Sequence, residues 1–166
     1  VVAGVLDGRF DFGVVGQDIG HPRLKAQSIG HEELCLILPA DAADEAITFE
    51  SLEDRGFVAH PDGFVYADDL LSLNFPDSFI GADRMTVRTF VNQIGQIPSP
   101  VAEGIGYTLL PRSGIEAFPR RNRLKIVSLP HRRYYELWSI TRRGPEPTAR
   151  LRAIMKIAHD VGGEIG

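Results

Sequence analysis

The residues best suited to holding a ligand are Asn92 and Gln93, an amide pair placed directly before an apolar run. The segment "NQIGQIPSPVAEG" predicts a helix that begins at this pair and ends at Gly104. A helix start has unbonded N–H groups and the positive end of the helix dipole, so it would hold a small, electron-rich group. The other interpretation is that Asn92 only caps the helix. Pro98 and Pro100 are expected to kink its middle without affecting its beginning.

Residues suited to catalysis are sparse by comparison. The serines have no G-x-S-x-G context, and "GIG" at 104–106 is only part of a dinucleotide-binding fingerprint. Cys35 lies in an apolar run typical of a buried strand. No histidine has a second ligand at metal-binding spacing among His21, His31, His60, His131 and His159. We therefore predict a binding module rather than an enzyme, with no catalytic residue, metal or cofactor.

The net charge of −4 conceals an asymmetry along the chain. Residues 1–110 carry a balance of −11, and residues 111–166 carry +7. A basic final third could contact nucleic acid. However, its arginines are scattered at the edges of expected strands as "PRRNR", "HRR" and "TRRG", without stacking aromatics between them. Solvation of turns is the favoured explanation, and we do not expect this chain alone to bind DNA specifically.

Helical and strand-like segments alternate along the chain, which predicts an α/β fold with largely parallel sheets. The segments "LKAQSIG" and "EELCLILPA" predict two separate strands. An acidic connector at 41–46 and a proline-containing stretch near 128–134 are the expected domain boundaries, so the first domain would combine both ends of the chain. The last helix is expected between Pro147 and Gly162, with an apolar face of Leu151, Ile154, Met155, Ala158 and Val161.

The ends of the chain and its single cysteine bear on localisation. No stretch is apolar over the length of a membrane helix. The N-terminal residues have no initiating Met, basic region or cleavage site, so we do not expect a signal peptide. They begin in mid-pattern, which suggests a truncated domain. One cysteine excludes an internal disulfide and fits a reducing compartment, so a cytoplasmic location is expected.

Two segments together resemble the effector-binding (substrate-binding) domain of LysR-type transcriptional regulators: "GVLDGRFDFGVV" and "PVAEGIGYTLLPRSGIEAF". The strand "EELCLILPADA" and the closing "LWSITRRG" with its amphipathic helix follow the family's order, so the resemblance covers nearly the whole chain. It implies two Rossmann-like subdomains, as in type 2 periplasmic binding proteins. Subdomain I would be 1–40 with 135–166, and subdomain II would be 41–134. The first strand of subdomain I and the family's helix-turn-helix are missing, so subdomain I is expected to be incomplete.

The resemblance implies that a small effector binds in a cleft between the subdomains. Asn92 and Gln93 match the beginning of the subdomain II helix that faces this cleft. His60 is either a surface turn histidine or an effector contact, and Phe64 is expected to be an apolar wall or core residue. Further contacts are expected after two strands: Gly16 and Gln17 after "DFGVV", and His60, Pro61, Asp62, Gly63 and Phe64 after "GFVA". The effector is expected to be small, with an anionic or otherwise electron-rich group.

The favoured function is therefore an effector-sensing domain that acts on a DNA-binding domain outside this chain. The alternative is a free-standing solute-binding protein or a small α/β enzyme on the same scaffold. The family resemblance also implies a homodimer, and an unpaired sheet edge would favour self-association. No membrane partner is expected.

Overall fold

A computed structural model describes residues 1–43, 46–144 and 146–165, with the side chains of residues 164 and 165 excepted. The helices are α1 (Val2–Leu6), α2 (Phe49–Arg55), α3 (Gly63–Asn74), α4 (Pro98–Ala102), α5 (Arg112–Glu116) and α6 (Ala149–Ile165), with single 3₁₀ turns at Ala82–Arg84, Ile94–Gln96 and Arg121–Arg123. The strands are β1 (Phe12–Val15), β2 (Leu24–Pro39), β3 (Phe57–Ala59), β4 (Val87–Phe90), β5 (Thr108–Pro111), β6 (Leu124–Val127) and β7 (Arg133–Arg142).

The chain forms two compact units, Val1–Glu33 with Tyr134–Gly166 and Leu34–Arg133. The chain therefore passes from the first unit to the second inside β2. The sequence had placed this boundary after residue 40, in an acidic connector. Residues 44 and 45 of that connector are outside the described residues. The assignment of the units to effector-binding subdomains stays a prediction.

In the first unit, β7 lies between β1 and β2. β1 pairs antiparallel with β7, and the Arg143 N–H donates to the Arg23 carbonyl at 2.8 Å beside the start of β2. Helix α1 packs on this sheet through Val5. It ends before Gly8, whose φ of 79° is the left-handed conformation that the sequence indicated. The core of this unit contains Val5, Leu24 and Ile140.

In the second unit, the last residues of β2 are buried and pair antiparallel with β5 and β6. A two-stranded parallel sheet is formed by β3 and β4. The predicted cap of α2 is confirmed, because the Thr48 hydroxyl accepts the Ser51 N–H at 3.1 Å. Cys35 is buried, as expected from its apolar run, in a core with Ile37, Val58, Ile97, Val101, Leu110 and Ile115.

The prediction of largely parallel sheets is wrong for most of the described strands, because β2 pairs antiparallel with both β5 and β6. The alternation of helices and strands gives the order of the elements, but it does not give the direction of each strand against β2. The two segments predicted as separate strands form the single strand β2. Gly30 lies inside this strand with a φ of +147° and does not end it.

Two helix predictions are also corrected. Helix α6 continues through Gly162 to Ile165, so Gly162 is not its end. The proposed apolar face is divided, because Leu151, Met155 and Ala158 are half-buried whereas Ile154 and Val161 are exposed. Among the described residues, we find no helix that is long and apolar enough to cross a membrane.

Candidate functional site

The carboxyl ends of β3 and β4 lie side by side in the second unit. Ala59 and Phe90 are register partners in the parallel sheet, and the Val91 N–H donates to the Ala59 carbonyl at 2.9 Å. Parallel strands end at the same sheet edge, so the residues that follow them come together. The structure thus brings residues 60–64, which include the start of α3, beside residues 92–93. Both were predicted to contact an effector.

His60 is a buried part of this edge, not a surface turn residue. It is 1% exposed, and its Nε2 donates to the Leu109 carbonyl of β5 at 2.9 Å. A carbonyl only accepts, so Nε2 carries the proton. Burial lowers the pKa of His60 from its ordinary 6.5, although the Leu109 bond and the Asp62 carboxylate act in the opposite direction. His60 is therefore a neutral donor that ties the end of β3 to β5.

The first turn of α3 follows His60 directly. The first hydrogen bond of the helix runs from the Tyr66 N–H to the Asp62 carbonyl at 3.0 Å. The N–H groups of Phe64 and Val65 come before it, so they have no partner within the helix. Asp62 is exposed at the N-cap position, and its carboxylate does not cap these groups. This turn therefore offers backbone donors beside an exposed carboxylate.

Aromatic side chains pack closely around the beginning of α3 at Gly63. A Cβ built on Gly63 would lie 3.0 Å from His60 Cδ2 and 3.0 Å from Phe57 Cζ, so the position has little room for a side chain. Phe64 is half-buried, and its ring meets the Phe57 ring edge-on with centroids 5.9 Å apart. This agrees with the expectation of an apolar wall or core residue. Pro61 is exposed beside them.

Asn92 and Gln93 do not begin a helix, so the prediction that Asn92 is a helix cap is wrong. They precede a single 3₁₀ turn, and α4 begins only at Pro98. Proline suits the first helical position because its missing N–H would have no partner there, and this is why the helix starts at Pro98 instead of kinking. The dipole argument for an anion at residues 92–93 therefore fails. Both side chains are exposed, and their amides have no hydrogen-bond partner among the described residues.

Gly16 and Gln17 lie in the first unit, directly after β1. Both residues are exposed. A Cβ built on Gly16 would meet only the Glu136 carbonyl, at 4.0 Å, so this loop leaves room beside the backbone. The predicted position after a strand is therefore observed for these two residues.

Sequence reasoning missed two polar residues, Tyr107 directly before β5 and Thr108 at its start. Thr108 is buried, and its hydroxyl donates to the Val58 carbonyl at 2.7 Å. Tyr107 is also buried, and its hydroxyl has no partner among the described residues. Burial, with a smaller contribution from Glu53, raises the pKa of Tyr107 well above its ordinary value. The signal that could have found them is a "YT" pair inside the apolar segment "IGYTLLP".

Comparison with known proteins identifies a matching family. The family model described as LysR substrate binding domain matches residues 1–163. No curated protein matches the chain.

Several solved structures are similar to the chain. HinK, a LysR family transcriptional regulator from Pseudomonas aeruginosa, is 16% identical with a TM-score of 0.68, and the match covers 99% of this chain and 57% of HinK. The effector binding domain of QuiR in complex with shikimate is 12% identical with a TM-score of 0.64, over 97% of this chain and 76% of that chain. The regulatory domain of CcmR from Synechocystis PCC6803, in complex with 2-PG, is 16% identical with a TM-score of 0.64, over 97% and 77%. At these identities the likeness shows a shared fold, which is of the type 2 periplasmic-binding kind.

Proposed function

Because this chain belongs to the LysR substrate-binding domain family, we propose that it senses a small-molecule effector and controls a DNA-binding domain carried elsewhere in the same protein. Domains of this family are regulatory parts of transcriptional regulators and not enzymes. The chain spans 57% of the length of HinK, which is consistent with one domain of a longer regulator. We expect the regulator to act in the cytoplasm.

The observation that carries the proposal is the shared edge of β3 and β4. The 2.9 Å bond between the Val91 N–H and the Ala59 carbonyl holds the segments that follow β3 and β4 side by side. The segment after β4 supplies the exposed amides of Asn92 and Gln93, which have no partner among the described residues, and the segment after β3 supplies the first turn of α3. Groups that point outward and lack protein partners are the ones that can bind a ligand without losing existing hydrogen bonds.

These groups favour a polar effector. The two amides can both donate and accept hydrogen bonds, and the Phe64 and Val65 N–H groups can donate. An anionic effector group now depends on α3, whose N-terminal N–H groups attract negative charge. The exposed carboxylate of Asp62 opposes it. A neutral hydroxyl or carbonyl group would satisfy the same donors without this repulsion. His60 contributes by holding the loop, since its Nε2 is engaged with Leu109.

Two structural neighbours support a small-molecule effector, since QuiR was solved with shikimate and CcmR with 2-PG. The position of Gly16 and Gln17 directly after β1 predicts further effector contacts there. That assignment stays a prediction, and Gln17→Ala tests it.

The experiment is a thermal-shift screen of small polar metabolites that begins with shikimate and 2-PG, followed by calorimetry on each molecule that raises the melting temperature. Asn92→Ala and Gln93→Ala are expected to weaken binding about tenfold each, which corresponds to the loss of one hydrogen bond to a charged or strongly polar group. Asn122→Ala is the matched control, because Asn122 is an exposed amide in the 3₁₀ turn Arg121–Arg123. An effector that binds both variants as tightly as the parent would show that this edge is not the binding site.

A further inference from the structure

The first unit contains a cavity of about 700 Å³ that no part of the proposed effector site uses. It lies between the beginning of α6, the end of β7 and the first residues of β2. Residues that line it include Lys25, Thr141, Arg143, Leu151 and Met155. A space of this size holds a small organic molecule.

Two cations of the lining are available to a ligand. The Lys25 ammonium has no hydrogen bond or ion pair among the described residues. Arg143 donates from Nε to the Leu24 carbonyl at 2.8 Å, and its terminal nitrogens have no partner within the described ranges. A guanidinium held by one nitrogen keeps its fork of N–H donors free for a carboxylate.

The remaining charges of the lining do not cancel these cations. Arg142 donates to the Val5 and Phe10 carbonyls and to the Asp11 carboxylate, each at 2.9 Å, so Arg142 and Asp11 neutralise each other. Glu146 adds one exposed carboxylate. The two available cations therefore leave a positive balance, which favours an anion.

Thr141 adds a neutral hydrogen-bond donor to the lining. It is only 8% exposed, it lines the cavity, and its hydroxyl has no partner in the described part of the chain. The hydroxyl is not among the buried side-chain atoms that lack a partner, so it is accessible to solvent, and a ligand in the cavity can accept its hydrogen bond in place of water. One wall of the cavity is apolar, because the lining includes Leu151 and Met155, which are half-buried and one turn apart on α6. The Thr148 hydroxyl accepts the Leu151 N–H at 3.2 Å and fixes the start of that helix.

We propose that this cavity is a second ligand site that binds a small amphipathic carboxylate. The carboxylate contacts Lys25 and Arg143 and accepts a hydrogen bond from the Thr141 hydroxyl. The apolar body of the ligand lies against Leu151 and Met155. Such a ligand uses the cations, the hydroxyl and the apolar wall together, whereas a bare inorganic anion leaves the apolar wall in contact with water.

The test uses hexanoate as the probe, with hexan-1-ol and inorganic phosphate as comparisons, in calorimetry on the protein at low millimolar ligand. Saturable hexanoate binding is expected, with weaker binding of both comparisons. Lys25→Gln is expected to weaken hexanoate binding about tenfold or more, and Thr141→Val to weaken it about fivefold. Lys156→Gln is the matched control, because Lys156 lies on α6 and pairs with Asp160 at 2.6 Å away from the cavity lining. Circular dichroism melts establish that each variant is folded.

Three results would overturn the proposal. The first is the absence of saturable hexanoate binding to the parent. The second is an equal effect of Lys25→Gln and Lys156→Gln in folded variants. The third is hexanoate binding that Asn92→Ala removes and Lys25→Gln leaves unchanged, which would place the probe at the edge of β3 and β4. The outcome is independent of the proposed effector, because the two sets of variants lie in different units of the chain.

Discussion

Gly30 of β2 and Gly162 of α6 are in direct backbone contact in the first unit. A Cβ built on Gly30 would overlap the Gly162 carbonyl, and a Cβ built on Gly162 would overlap the Ile29 carbonyl. Gly162 is buried, although α6 is largely exposed around it. The two glycines thus allow the helix to approach the strand closely, and this contact requires the absence of both side chains.

Gly162→Ala is expected to destabilise the protein by about 1–3 kcal/mol, because the added methyl must displace the backbone of β2. The measurement is urea unfolding followed by circular dichroism. Gly163→Ala is the matched control, since nothing lies within 4 Å of a Cβ at that position. Helix propensity predicts that the control is neutral or slightly stabilising, by up to ~1 kcal/mol. Equal effects of the two changes would contradict the contact.

Tyr107 and Thr108 are adjacent buried residues with opposite expectations. Tyr107→Phe removes a hydroxyl that has no partner in the described residues, so it should stabilise the protein by up to ~1 kcal/mol. Thr108→Val removes the 2.7 Å bond to the Val58 carbonyl at nearly constant volume, so it should cost about 1 kcal/mol. Unfolding free energies from denaturant titration decide both. A loss of stability in Tyr107→Phe would mean that the hydroxyl is paired.

His60 predicts a specific loss of stability in acid. Its pKa is lowered in the folded protein, so the unfolded chain binds the proton more tightly. The stability that the neutral ring contributes is present above the unfolded pKa near 6.5 and decreases as the pH falls below it. His60→Gln keeps an N–H donor for Leu109 but does not titrate, so its stability should change less between about pH 7.5 and pH 5.5. If the unfolding free energies of the parent and His60→Gln changed equally with pH, the lowered pKa of His60 would be wrong.

The chain by itself should not bind DNA specifically. The family match assigns residues 1–163 to the substrate-binding domain, and the net charge of the 166 residues is −4. An acidic chain gains little from counterion release on a duplex. A mobility-shift assay with an operator fragment at physiological salt should show no specific complex. The control is a fusion to a LysR-type DNA-binding domain, in which binding should appear.

Self-association is the remaining prediction, with a homodimer as the expected species. The family resemblance implies it, and exposed apolar side chains on α6, such as Ile154 and Ile157, are consistent with it. Sedimentation velocity over a range of concentrations should show a dimer that dissociates on dilution. A monomer at high concentration would exclude it for this chain.

At the candidate site, the sequence predicted the positions of the residues but not their contacts. The positions of residues 60–64 and 92–93 after two strands were predictable, because strand ends are marked by local changes from apolar to turn residues. The burial and hydrogen-bond partners of each side chain could not be predicted. His60 is buried and donates to the carbonyl of Leu109, a residue 49 positions away, and no local pattern indicates that contact. Asn92 resembles a helix cap in sequence, but the helix starts at Pro98, where the missing proline N–H has no cost.

By itself, the sequence determined the family, the order of most helices and strands, and local devices such as the end of α1 at Gly8 and the cap of α2 at Thr48. These depend on neighbours within a few residues, which the sequence displays directly. The tertiary structure alone decided the antiparallel pairing of β2, the burial of His60 and the contact of Gly162 with Ile29. Each of these depends on which distant segment packs against the residue. The sequence indicated Gly162 as the end of the last helix. In the structure, Gly162 lies within α6, and a glycine is required there because the helix backbone packs closely against β2.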